Sequence, residues 1–98
     1  MIIALRSEEG KEIDFLGDKG RLPRLLPFEN SMSQCLRFID PYGNTMFNSV
    51  QMGQFLAEIA RLRDANLDAD EIFLLDGIEK LAKRCRDEHR LYLWFIGD

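Results

Sequence analysis

The sequence predicts an α+β domain: an antiparallel sheet of about five strands with a helical hairpin on one face, in the order ββββααβ. Three observations predict it. Short runs rich in Ile, Leu and Phe flank a polar turn near the N terminus. Two later stretches carry apolar residues at spacings of three and four behind capping-box starts. The chain then closes on Leu91-Tyr92-Leu93-Trp94-Phe95-Ile96, apolar and aromatic throughout.

Each element has a local reason. Met1 to Leu5 and Glu12 to Leu16 are joined by Ser-Glu-Glu-Gly-Lys, a hairpin signal in which Gly10 is free to take a positive φ. In Arg-Leu-Pro-Arg-Leu-Leu-Pro-Phe, residues 21 to 28, Pro23 and Pro27 bias the residue before them away from helix and remove ladder donors. That segment reads as an irregular apolar loop. Gln34 to Ile39 reads as a third strand, and Asp40-Pro41-Tyr42-Gly43 as a type I turn returning Asn44 to Phe47 as a fourth. Helix one starts at Asn48 or Ser49, with Gln51 completing a capping box. Its stripe is Met52, Phe55, Leu56, Ile59 and Leu62. Helix two starts at Asp68 with Glu71 as its reciprocal cap. Its stripe is Leu74, Ile78, Leu81 and Cys85, supported by Ile72, Leu75 and Ala82. The connections then bring the last strand back antiparallel to the fourth.

Length and charge narrow the classes of function. Ninety-eight residues make one domain with little volume for a deep cleft. With 13 Lys plus Arg against 17 Asp plus Glu, the formal net charge is −4. A nucleic-acid partner is disfavoured, because phosphate binding draws on an excess of cations. No apolar run approaches the roughly 18 residues of a membrane span, and the opening run is short for a signal-peptide core. A soluble cytoplasmic protein is expected. Cys35 and Cys85 sit among apolar positions and read as buried reduced thiols rather than a bridge.

Candidate chemistry is sparse. Asp64-Ala-Asn66-Leu-Asp68-Ala-Asp70 opens like a calcium loop, but Ala69 and Leu75 stand where the pattern needs Gly and a bidentate Glu, so a capping turn is expected and no metal. Lys80, Lys83, Arg84, Arg86 and Arg90 crowd the end of helix two, interleaved at spacing four with Glu79, Asp87 and Glu88, as on a solvated face. His89 could act as a base, yet no nucleophile is placed beside it, and Cys85 belongs to the apolar stripe. Glycine-rich phosphate loops are missing too, so no cofactor is expected.

The final strand is the most informative feature. Alternation puts Leu91, Leu93 and Phe95 on one face and Tyr92, Trp94 and Ile96 on the other, so both faces are apolar. Two helices cover only one. Either the segment carrying Leu22, Leu25, Leu26 and Phe28 folds across the second face, or that face meets another copy or a protein partner. Leaving it bare would forgo about 2–3 kcal/mol per large side chain. The candidate partner-binding residues are Leu25, Leu26, Phe28, Tyr92 and Trp94.

The string Leu-Arg-Phe-Ile-Asp-Pro-Tyr-Gly-Asn-Thr-Met-Phe-Asn with Gln51 and the helix after it, together with the ending Tyr-Leu-Trp-Phe-Ile-Gly-Asp, resembles small uncharacterised bacterial proteins of immunity-protein-like type. The resemblance covers residues 36 to 98. It implies a non-enzymatic protein that acts by binding another macromolecule such as a toxin, and no catalytic residue carries over. The expected function is a small interaction module, dimeric or bound to a protein partner, with an acidic balance that favours a basic one. Two alternatives stand beside it: a small-ligand binder or minor enzyme using Asp40, Tyr42, Asn44, His89 or Cys35 around a shallow pocket, and an RNA-binding module using helix two.

Overall fold

The N-terminal hairpin forms where its turn chemistry places it. In the computed structural model, which describes residues 1–97, β1 (Ile2–Ser7) and β2 (Glu12–Gly17) are closed by Gly10 at φ +86°, with the Gly10 N–H donating to the Ser7 carbonyl at 2.9 Å. A β-bulge between Leu5 and Arg6 shifts the pairing toward the turn. The chain continues through an irregular stretch into β3 (Asn44–Phe47), α1 (Met52–Leu62), α2 (Ala69–Asp87) and β4 (Leu91–Ile96). β4 lies in the middle of the sheet, in the order β2-β1-β4-β3, antiparallel to both neighbours.

Both helices start as their caps dictate. Asn48 Oδ1 accepts the Gln51 N–H while Gln51 Oε1 accepts the Asn48 N–H, and a 3₁₀ turn over Ser49–Gln51 leads into α1. Asp68 and Glu71 make the same exchange at the start of α2. The stripes Met52, Phe55 and Ile59, and Leu74, Leu75, Ile78, Leu81, Ala82 and Cys85, are buried against Ile3, Leu5, Phe47, Leu91, Leu93 and Phe95 of the sheet. Phe47, Phe55 and Phe95 pack together with ring centroids 5.5–5.8 Å apart. Ile72 departs from the expected stripe. It is 44% exposed, off the edge of the buried face and next to an exposed Phe73.

Among the described residues the sheet has four strands, not five. Gln34 to Ile39, expected as a strand, is instead a loop with a 3₁₀ turn over Leu36–Phe38. The cause is Glu58 on α1. Its buried carboxylate accepts the N–H groups of Gln34, Cys35 and Leu36 at 2.9, 3.1 and 3.0 Å, as well as the Ser33 hydroxyl. Successive N–H groups of a strand point in opposite directions, so three in a row cannot reach one carboxylate from a strand. Asp40 to Gly43 does turn the chain, with the Gly43 N–H donating to the Asp40 carbonyl at 3.3 Å.

Residues 21 to 28 do not cross the second face of the sheet. Pro23–Leu25 forms a 3₁₀ turn that drives Leu22 and Leu26 into the same core the helices cover. Arg24 Nε donates to Glu71 of α2 at 2.9 Å, and the Asp18 carboxylate accepts the Gly20 and Leu22 N–H groups. Buried carboxylates therefore organise the long stretch between β2 and β3 in place of a ladder. No helix among the described residues is long and apolar enough to cross a membrane.

Candidate functional site: the open face of the sheet

With both helices and the irregular segment on one side, the other side of the sheet has no cover among the described residues. The ladder register fixes what lies there. The middle row, read across the strands, is Phe15 on β2, Ala4 on β1, Trp94 on β4 and Met46 on β3. One row toward the far end lie Gly17, Ile2, Ile96 and Asn44, and one row toward the hairpin turn lie Glu12, Arg6 and Tyr92. Phe15 is 59% exposed, Met46 49% and Ile2 45%, whereas Tyr92, Trp94 and Ile96 are half-buried among them. Ala4 is the low point of the row and is fully enclosed.

Charge on this face is scarce and balanced. The Arg6 guanidinium lies 5.3 Å from the centroid of the Trp94 ring and 3.9 Å from the Glu12 carboxylate. Around Tyr92 and Trp94 the surface dips into a basin of about 450 Å³, walled by Arg6, Met46 and the hairpin turn at Ser7, Glu8 and Gly10. An apolar floor with aromatic anchors and a thin polar rim is the composition of an interface core.

The five residues singled out from sequence fall in three places. Tyr92 and Trp94 share the open face. Leu26 is 6% exposed and belongs to the core, and Leu25 packs half-buried against it. Phe28 is exposed, but it lines a different hollow with Met1, Pro23, Pro41 and Tyr42. Sequence reasoning missed Phe15, Met46, Ile2 and Arg6. Alternation along β1 and β2 gives each of these a face, but only the pairing register puts them beside Trp94.

The residues of the small-ligand alternative do not converge. Asp40, Tyr42 and Asn44 lie by the end of β4, where the Gly97 N–H donates to Gly43, while exposed His89 precedes its start. A six-residue strand separates them, about 20 Å. Asp40 is engaged in its turn, accepting the Tyr42 N–H at 2.8 Å. Cys35 and Cys85 are buried free thiols, and burial pushes both up to about 11. Ser33 donates to Glu58 beside Arg61 in a hollow of about 170 Å³, but the hydrogen bonds Glu58 already accepts hold its carboxylate below its ordinary range, the wrong direction for a general base. On α2, Lys83 meets Glu79 at 3.3 Å and Arg84 meets Glu88 at 2.7 Å, so these cations are already engaged with acids. Asp68, part of the calcium-like string, caps α2 and faces Arg21 and Arg24 at 3.5 and 3.8 Å. Among the described residues no three His, Cys, Asp or Glu side chains converge on a common point that would suit a metal ion.

No protein-family model, characterised protein or solved structure matches the chain.

Proposed function

We propose that the protein is a non-enzymatic interaction module that works by surface complementarity through the open face of its sheet. One observation carries this: Trp94, Tyr92, Phe15, Met46 and Ile2 form a contiguous apolar surface that nothing among the described residues covers. A contiguous apolar patch on a small protein is often a functional surface. A cytoplasmic location accords with the two free buried thiols. The narrower form, inhibition of a basic toxin, draws only on the net charge of −4, because the open face carries one cation and one anion already paired.

Hydroxyl-radical footprinting tests the proposal. Met46, Phe15 and Trp94 are expected to oxidise readily in the dilute purified protein and to be protected in an extract of the cells that make it, while exposed Met32, in the irregular segment, oxidises equally in both. Equal oxidation of all four under both conditions would overturn the proposal.

A further inference from the structure

We infer that the occupant of the open face is a second copy of the same chain, packed sheet on sheet about a two-fold axis that runs along the strands between β1 and β4. This rests on the interaction reading above. The pairing register carries it further. Rotation about that axis lays β1 over β4 and β2 over β3 of the partner. The middle row Phe15, Ala4, Trp94, Met46 is then met by the same row reversed. Phe15 lies over Met46 of the partner subunit, a sulfur–aromatic contact, and half-buried Trp94 meets the side chains that close over the partner's Ala4. Each relation occurs twice, as an isologous interface requires. In the next row Ile2 meets the partner's Ile96. The exposed side chains of these rows thus meet in symmetric pairs, as in aligned sheet packing at roughly 10 Å.

Charge and area agree with a copy. Arg6 and Glu12 pair within one chain, so the face brings no net charge that would call for an oppositely charged partner. Four strands about 4.8 Å apart and about six residues long give a face of roughly 20 by 20 Å. That is roughly 400 Å² of footprint per partner, about half the standard, which fits a weak, reversible dimer rather than a permanent one. Addition of a strand at the sheet edge fits less well. Asp14 of β2 takes the Phe15 N–H at 2.8 Å, blocking a donor there, and β3 is only four residues long.

A complementary pair of variants tests the axis. F15K and M46E replace exposed side chains, so both are expected to keep the wild-type circular dichroism, and the wild-type melting temperature at concentrations where the wild type is monomeric. In sedimentation equilibrium the wild type is expected to dimerise with rising concentration, and each variant alone to weaken self-association by about tenfold or more, because the new charge faces an apolar side chain. Mixed one to one, the variants are expected to associate again, since the new cation meets the new anion on one side and Phe15 meets the partner's Met46 on the other. A wild type that stays monomeric at every concentration overturns the dimer. If footprinting in extract still shows protection, the interaction module survives with a foreign partner, and without protection both fall. Dimerisation that neither variant weakens, or a mixture that stays monomeric, overturns the proposed axis.

Discussion

Glu58 on α1 and Leu36 in the irregular segment are 22 positions apart in sequence and joined by a hydrogen bond of 3.0 Å from backbone N–H to carboxylate. The same carboxylate takes the N–H groups of Gln34 and Cys35, the Ser33 hydroxyl and the Gln54 amide. One acidic side chain thus satisfies the Ser33, Cys35 and Leu36 donors, which would otherwise be buried unpaired. Glu58→Ala is expected to cost about 3–5 kcal/mol, because it strands several buried donors at once. Urea denaturation gives the magnitude, and hydrogen exchange at residues 34–36 is expected to speed up more than exchange in β4.

Acid should release the same anchors. Burial works to raise the carboxyl of Glu58, but the hydrogen bonds from Ser33, Gln54, Leu36 and Gln34 outweigh it and hold the group below its ordinary 4.5. Burial likewise opposes, and the N-terminal ammonium with the Gly20 and Leu22 N–H groups overcomes, a rise at Asp18, which stays below 3.8. A depressed carboxyl contributes its stability above the unfolded value and loses it as pH falls through the folded one. Stability is therefore expected to be level from neutrality to about pH 5 and to fall below about 4.5. Glu58→Gln should flatten part of that fall in melts recorded against pH.

Two glycines should respond oppositely to alanine. A Cβ at Gly97 would stand 2.5 Å from the Pro41 carbonyl oxygen and 2.6 Å from that of Gly43, both backbone atoms that cannot swing aside. Gly97→Ala is expected to cost about 1–3 kcal/mol. At Gly77, inside α2, the nearest atom is the terminal Leu16 Cδ2 at 3.0 Å, on a half-buried side chain able to give way. Gly77→Ala is expected to be neutral or to gain up to about 1 kcal/mol of helix propensity. Thermal melts of the pair compare them directly.

The thiols should be silent until the fold opens. Cys35 is pushed up to about 11 by burial and by the charge of Glu58, and Cys85 to about 11 by burial. Labelling with a thiol reagent at neutral pH is expected to follow global unfolding for Cys85. In Glu58→Ala, Cys35 is expected to label faster than Cys85, since its segment loses its anchor.

What was legible in the sequence is what short-range chemistry decides. Gly10 in its turn, Asn48 with Gln51, Asp68 with Glu71, and the alternation of Leu91 to Ile96 each act within a few residues, and each element formed within a few residues of where it was read. Gln34 to Ile39 was misread as a strand because the group that bends it, Glu58, belongs to another element. The site was half legible for the same reason. Period-two alternation put Tyr92 and Trp94 on a second face, but Phe15 and Met46 join them only through a register between distant strands. Leu26, apolar beside prolines, carried no local sign that the Pro23–Leu25 turn would carry it into the core.

Trp94 is the single tryptophan of the chain and lies at the middle of the open face, so 5-fluorotryptophan labelling gives one ¹⁹F resonance that reports on its cover. In the dilute purified protein that resonance is expected to be narrow and sensitive to solvent isotope. It is expected to shift and broaden as the protein is concentrated, with F15K suppressing the change. A resonance with the same position and width in dilute solution, in concentrated solution and in cell extract would contradict the account, because the face would then stay bare wherever the protein is found.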